Sequence, residues 1–231
     1  MITEELVKRS PLRILERSTH GGIGKGNVGV FAGPKGVGKT ACLVHIATDR
    51  LLQGKHVIHV SFSDDTSHIE AWYEDIFKEL AGRYQLDGAM EAHDSIIRNR
   101  VITKFEQDAV QWPRVESTIR SLMENAAFSA DTVVIDGYGF PTADVEAFSA
   151  FRQFAAEVGL EVWLSASVGE PAADAAVPTL LTPYLEECAV VIVLVDKGTY
   201  IHLELIKDHG NPIEDVHLKL DPQILLIAEE D

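Results

Sequence analysis

With 231 residues, 46% of them hydrophobic and 24% charged, the chain has an ordinary soluble composition and room for one large α/β domain, two small domains being less favoured. Its 36 acidic and 20 basic residues leave a net charge of −16, which disfavours nucleic acid as a partner because the surface should repel phosphates. No apolar run approaches the roughly 20 residues of a membrane span, and residues 1–5 lack the layout of a signal peptide. We therefore expect a cytoplasmic protein. Its only cysteines are Cys42 and Cys188, and we expect both to be buried thiols.

The N-terminal part of the chain predicts a strand followed by a helix. Residues 1–25 are expected to be a leader on the edge of a single domain that spans residues 26–231. The apolar run 27–32 predicts a buried strand. A helical pattern begins at Ala41 and should continue to about Gln53, because a glycine follows there.

The segment between this strand and this helix is a phosphate-binding loop by sequence. Residues 33–40 read Gly-Pro-Lys-Gly-Val-Gly-Lys-Thr, a full match to the Walker A pattern G-x-x-x-x-G-K-[ST]. In such a loop the glycines let backbone N–H groups surround phosphate oxygens, the lysine reaches the β- and γ-phosphates, and the hydroxyl ligates Mg²⁺. The succession of strand, glycine loop and helix favours this interpretation over a glycine-rich turn with a stray lysine. The expected nucleotide-binding residues are Gly33, Pro34, Lys35, Gly36, Val37, Gly38, Lys39, Thr40 and Ala41, with Thr40 also a metal ligand.

Carboxylates follow the second predicted strand, which covers residues 56–62. Asp64 and Asp65 come directly after it, and the carboxyl ends of strands in an open sheet face the ligand crevice. Either aspartate, or Glu70 further on, is therefore a candidate for orienting or deprotonating an attacking water. The two aspartates fit equally well as N-cap residues of the helix that starts near residue 67.

The next part of the chain predicts helices between the second and third strands. The periodicity indicates helices over residues 69–84, 89–107 and 113–128, and Trp72 belongs to a core stripe of the first. Residues 86–128 thus form a helical elaboration in which we expect specificity to reside.

The third predicted strand, residues 131–136, ends in Asp136. A carboxylate at the end of a buried strand, about a hundred residues after a phosphate loop, is the expected second holder of Mg²⁺. Alternatively, Asp136 caps the turn that follows this strand. Ser165 and Ser167, at the end of the fourth strand, are candidates for contacting the γ-phosphate or are simply loop residues.

The C-terminal third of the chain predicts a change from parallel to antiparallel strands. Strands alternate with helices up to residue 195, and only hairpins follow. We therefore expect an α/β fold with a mostly parallel central sheet flanked by helices and with antiparallel C-terminal hairpins. The predicted elements are a helix at 143–158, strands at 161–166 and 188–195, a loop at 168–179, and hairpin strands at 199–206, 216–220 and 223–227.

With these elements in place, the sequence resembles the RecA-fold ATPases, particularly the branch of the circadian-clock ATPase KaiC and the replicative helicase DnaB. The resemblance covers most of residues 20–228. Residues 21–33 are similar to the segment that leads into the family's phosphate loop, and residues 60–65 fall where the family has a strand followed by its catalytic glutamate. Residues 206–210 fall where it carries Lys-x-Arg in a terminal hairpin, and residues 216–221 resemble its last hairpin. The resemblance implies a RecA-like P-loop NTPase fold, ATP and Mg²⁺ as ligands, and subunits in a ring or filament.

The resemblance also implies how hydrolysis would be catalysed. It places Asp64 at the position of the catalytic glutamate, and it places Lys207 and His209 where Lys-x-Arg reaches the γ-phosphate of the neighbouring subunit. Asp64 is one methylene shorter than glutamate, and a histidine is only partly charged and lacks the bidentate fork of arginine. Because an arginine finger is worth about 10³–10⁵ in rate, we expect slow hydrolysis. Alternatively, Lys207 and His209 are solvated polar residues on a hairpin without a catalytic role.

These patterns predict a Mg²⁺-dependent ATP-binding protein that acts as a slow ATPase in a homo-oligomer. The alternative is a nucleotide-sensing switch or adaptor with negligible hydrolysis, whose ATP and ADP states present different surfaces to a protein partner. The acidic charge disfavours a nucleic-acid motor or loader. A small-molecule kinase is disfavoured because residues 168–187 contain no arginine for a lid. No motif in the sequence distinguishes ATP from GTP.

Overall fold

A computed structural model of the chain describes residues 7–62, 67–83, 89–106, 112–125, 128–140, 144–169, 177–221 and 226–230. The helices are α1 (Leu12–Ser18), α2 (Lys39–Leu52), α3 (Ser67–Arg83), α4 (Ala89–Arg98), α5 (Trp112–Glu124), α6 (Val145–Val158) and a 3-10 helix (Thr179–Glu187). The strands are β1 (Val28–Gly33), β2 (Val57–Ser61), β3 (Arg100–Lys104), β4 (Thr132–Asp136), β5 (Glu161–Ser167), β6 (Val190–Asp196), β7 (Ile201–Asp208), β8 (Leu218–Leu220) and β9 (Ile227–Glu229).

The strands of the described residues form one sheet in the order β3-β2-β4-β5-β1-β6-β7-β8-β9. The strands from β3 to β6 in this order are parallel to one another. Strands β6 to β9 pair in antiparallel fashion. The expected α/β fold, with a mostly parallel central sheet and antiparallel C-terminal strands, is confirmed.

Helices cover both faces of the parallel part of the sheet, which explains why its inner strands are continuous apolar runs. Every residue of β1 and β2 is buried. One core cluster joins α1, α2, α3 and α4 to one face. The other cluster joins α5, α6 and the 3-10 helix to the opposite face. None of the helices in the described parts of the chain combines the length and the apolar composition that crossing a membrane requires.

The prediction of a helix over residues 89–107 is wrong at its C-terminal end. Helix α4 ends at Arg98, and residues 100–104 form the edge strand β3, which pairs with β2 from Val57 opposite Arg100 to Ser61 opposite Lys104. The edge of β2 that does not face β4 offers this segment backbone hydrogen bonds along its whole length. The spacing of apolar residues in the sequence cannot reveal such a pairing. The region 86–128 is therefore not entirely helical.

The prediction of buried cysteines is confirmed. Both thiols are free and buried. Burial raises the pKa of Cys42 and of Cys188 to about 12, so both stay protonated at neutral pH. Cys188 precedes β6, which begins two residues later than predicted.

The segment before β1 is joined to the core by apolar and ionic contacts. Leu12 and Leu15 of α1 are buried in the same cluster as α2. The guanidinium of Arg50, near the end of α2, donates two hydrogen bonds to Glu161 at 2.9 and 2.8 Å and one to Glu16 of α1 at 2.8 Å. Arg50 thus links the leader to α2 and links α2 to β5.

Candidate nucleotide-binding site

A cavity of about 380 Å³ lies at the carboxyl end of β1. β1 lies between β5 and β6, so strands on both sides of β1 reach this cavity. The loop that follows β1 leads directly into α2. Crevices of this kind, beyond the carboxyl ends of parallel strands, are where open α/β sheets bind ligands. The lining residues are Lys35, Gly36, Val37, Gly38, Lys39, Thr40, Trp72, Asp136, Gly137, Ser165, Ser167, Ile201 and Leu220.

The loop backbone depends on two glycines with left-handed conformations. Gly36 has φ +87° and Gly38 has φ +106°. At such angles an L-residue is strained. A Cβ at Gly38 would also lie 2.3 Å from Cδ2 of Leu220, so strand β8 packs directly against the loop. This contact joins the antiparallel end of the sheet to the phosphate-loop motif.

Lys39 is folded onto its own loop. Its ammonium donates hydrogen bonds to the carbonyls of Gly33 at 2.9 Å and Pro34 at 2.6 Å. Burial lowers the pKa of Lys39, and the nearby charge of Asp136 acts in the opposite direction. The ammonium is therefore held at the cavity by weak neutral acceptors, which a phosphate could replace with a stronger charge-assisted partner.

Asp136 lies beside the loop, as the sequence predicts for a metal-holding residue. Its Oδ2 accepts a hydrogen bond from the Thr40 hydroxyl at 2.8 Å, and its Oδ1 accepts one from the Ser165 hydroxyl at 2.7 Å. The Ser165 oxygen in turn accepts from the N–H of Gly137 at 2.9 Å. The carboxylate is thus fixed from two sides, by the first turn of α2 and by β5.

The paired oxygens of Thr40 and Asp136 fit Mg²⁺. Magnesium favours oxygen ligands, keeps several waters, and usually takes one or two protein groups together with substrate phosphates. The described residues contain no cluster of three or more His, Cys, Asp or Glu side chains suited to a metal. A site for Mg²⁺ here would therefore depend on phosphate oxygens to complete the coordination.

Of the residues that sequence reasoning assigned to catalysis, those that the structure describes do not line this cavity. Asp64 and Asp65 lie outside the described residues, and Glu70 is exposed on α3. Lys207 lies opposite Val191 on β6, toward the amino end of the parallel strands. Its ammonium donates to the carbonyl of Leu185, at the end of the 3-10 helix.

His209 follows β7 and lies near the leader. Its Nε2 is 3.1 Å from the carbonyl oxygen of Gly22. Neither His209 nor Lys207 lines the cavity of its own chain. A catalytic role for either residue would therefore require a neighbouring subunit, as the family resemblance implies.

Three apolar residues of the cavity were not predicted as site residues. Ile201 and Leu220 pair across β7 and β8, and Trp72 comes from α3. Helical spacing correctly indicates that Trp72 packs against the core. That spacing cannot show that Trp72 also borders the cavity.

Comparisons with known proteins do not assign the chain to a family. The chain matches no model of a known protein family, and no curated protein matches it significantly. Backbone N–H groups, one ammonium and one hydroxyl at a helix N-terminus, with a fixed carboxylate beside them, form an arrangement suited to a polyphosphate and a divalent cation.

Proposed function

We propose that the protein binds Mg²⁺-ATP in this cavity, in a RecA-like P-loop site. The observation that carries the proposal is the 2.8 Å hydrogen bond between Thr40 and Asp136. These residues are 96 positions apart in the sequence. The Walker A motif supplies the hydroxyl, and a separate strand, about a hundred residues later, supplies the carboxylate. Their meeting next to Lys39 supports one nucleotide site and argues against a chance motif.

Each residue has a distinct part in binding. The N–H groups of the loop and the N-terminus of α2 would receive the phosphate oxygens. The Lys39 ammonium would exchange its two carbonyl partners for the β- and γ-phosphates. Thr40 and Asp136 would hold Mg²⁺, which neutralises phosphate charge when bound. Ser165 keeps the carboxylate oriented through the hydrogen bond described above.

Hydrolysis is proposed to be slow. Asp136 is the one carboxylate among the described residues that line the cavity, and it is engaged with Thr40 and Ser165. This favours tight binding over rapid activation of water, which needs a base within hydrogen-bond reach. We propose that turnover, where it occurs, depends on the segment that contains Asp64 and Asp65 and on Lys207 from a neighbouring subunit in a RecA-like ring or filament. Negligible turnover would make the protein a nucleotide-sensing switch for a protein partner.

The test is phosphate release from Mg²⁺-ATP over a wide range of protein concentration. Lys39→Ala serves as the blank, and Lys25→Ala, which removes an exposed lysine three residues before β1 and outside the cavity, is the control. We expect slow release above the blank in the wild type and in Lys25→Ala, with turnover per subunit rising with concentration. Release that is equal in the wild type and in Lys39→Ala would contradict the ATPase proposal. Nucleotide binding without release would favour the switch.

A further inference from the structure

The order of the strands gives the cavity two chemically different ends. β4 and β5 lie on one side of β1, and β6, β7 and β8 lie on the other. Asp136 ends β4, and Ser165 lies two residues before the end of β5, so the polar end of the cavity is on that side. Ile201 and Leu220 come from β7 and β8, so the opposite end is apolar.

This asymmetry favours one orientation of a bound nucleotide. Thr40 and Asp136 would hold a cation that neutralises the outer phosphates, and Lys39 would reach the same groups. The terminal phosphate would therefore point toward β4, and the nucleoside toward Ile201 and Leu220. The apolar pair provides the kind of surface against which a base packs.

The strand order places Trp72 on the β4 side of the cavity, toward which the terminal phosphate would point. It is carried by α3, which follows β2, and β2 is the neighbour of β4 on the side away from β1. Its side chain is half-buried, packs on the core and borders the cavity. The other two tryptophans are different, because Trp112 and Trp163 are each 2% exposed and belong to the core.

We propose that Trp72 is the residue through which this site distinguishes a nucleoside triphosphate from a diphosphate. The proposal rests on the nucleotide-binding function proposed above. A third phosphate would extend toward the indole, whereas a diphosphate would end near Lys39. A ligand can favour one state only through contacts that the other ligand lacks. The indole supplies such a contact, with a polar N–H on an otherwise apolar ring.

The first experiment uses tryptophan emission together with an independent measurement of binding. The protein is titrated with Mg²⁺-ATP and with Mg²⁺-ADP, and bound nucleotide is measured by equilibrium dialysis. At saturation we expect ATP to change the emission at least twice as much as ADP. The change should disappear in Trp72→Phe at ATP concentrations at which dialysis shows bound nucleotide, and persist in Trp163→Phe.

Three results would overturn the assignment of Trp72. They are equal emission changes with saturating ATP and ADP, a full response in Trp72→Phe, or ATP binding to the wild type without any change in emission. Absence of ATP binding in the dialysis would instead overturn the nucleotide-binding function, and the assignment with it. The two failures are thereby distinguishable.

The second experiment measures nucleotide preference. We expect the ratio of the ADP and ATP dissociation constants to fall at least threefold in Trp72→Ala and to be unchanged in Trp163→Phe. A purely structural effect of Trp72→Ala would weaken both nucleotides equally and leave the ratio unchanged, which would contradict the proposal. Thermal unfolding of each variant, without nucleotide, identifies a loss of folding separately.

Discussion

The contact between Leu220 and the phosphate loop leads to a quantitative prediction for two glycines. Gly36→Ala introduces a Cβ that meets nothing within 4 Å, so only the strain of φ +87° acts. A left-handed conformation costs an L-residue about 1–2 kcal/mol. Gly38→Ala carries the same kind of strain at φ +106° and also places its Cβ 2.3 Å from Leu220 Cδ2. Overpacking of this kind adds about 1–3 kcal/mol.

Urea unfolding of the single and double variants measures the free-energy costs of the backbone strain and of the overpacking. We expect Gly36→Ala to lose about 1–2 kcal/mol and Gly38→Ala about 2–5 kcal/mol. Leu220→Ala alone should cost about 2–5 kcal/mol, because the side chain is 1% exposed. In the double variant Gly38→Ala/Leu220→Ala the collision is absent, so the loss should be about 1–3 kcal/mol smaller than the sum of the single losses.

Binding of Mg²⁺-ATP by the same variants connects the contact to function. Gly38→Ala should weaken ATP more than Gly36→Ala, and Leu220→Ala in the Gly38→Ala background should recover part of that loss. Strictly additive free energies of unfolding, or a Gly38→Ala protein as stable as Gly36→Ala, would refute the packing of β8 on the loop.

Three other predictions concern stability and the shared site. Arg50→Ala leaves buried carboxylates without their partner and should cost about 3–5 kcal/mol. Arg120→Ala breaks a surface ion pair with Glu116 and should lower the melting temperature much less; equal thermal shifts would contradict this. Burial lowers the pKa of His59 to about 4, against about 6.5 when unfolded. The unfolded chain therefore takes up the proton first, and about 3 kcal/mol of stability, complete above pH 6.5, should be lost as the pH falls toward 4. His59→Phe should flatten this part of the pH profile in urea unfolding, and an unchanged profile would exclude His59 as its cause. Lys207→Met should leave ATP affinity unchanged, and mixing it with Lys39→Ala should restore part of the turnover; absence of recovery would argue against a shared site.

The sequence predicts the parts of the fold that have strong local signals. The strands β1, β2, β4 and β5 are apolar runs long enough to be recognised, and α2 is bounded by the glycine loop and by Gly54. β3 is missed because five residues, two of them Arg100 and Lys104, continue a helical pattern and become a strand only through pairing with β2. The 3-10 helix is also missed, since it contains Pro183.

The candidate site likewise has parts that the sequence predicts and parts that it does not. The Walker A pattern and the strand ending in Asp136 predict that a hydroxyl and a carboxylate converge, because both follow from local sequence and from the common edge of parallel strands. The orienting bond from Ser165 and the position of Trp72 depend on how β5 and α3 pack, which no local pattern contains. The bond from Lys207 to Leu185 is likewise a tertiary contact between segments that the sequence treats separately.

The most direct test of the central claim is equilibrium dialysis of labelled ATP with the wild type, Lys39→Ala and Lys25→Ala, with and without Mg²⁺. We predict saturable binding by the wild type, close to one nucleotide per chain, that strengthens with Mg²⁺ and is retained in Lys25→Ala. Lys39→Ala should show no binding over the same range while unfolding cooperatively. Equal affinity of the wild type and Lys39→Ala, or no binding by the wild type, would contradict the assignment of the cavity as a nucleotide site.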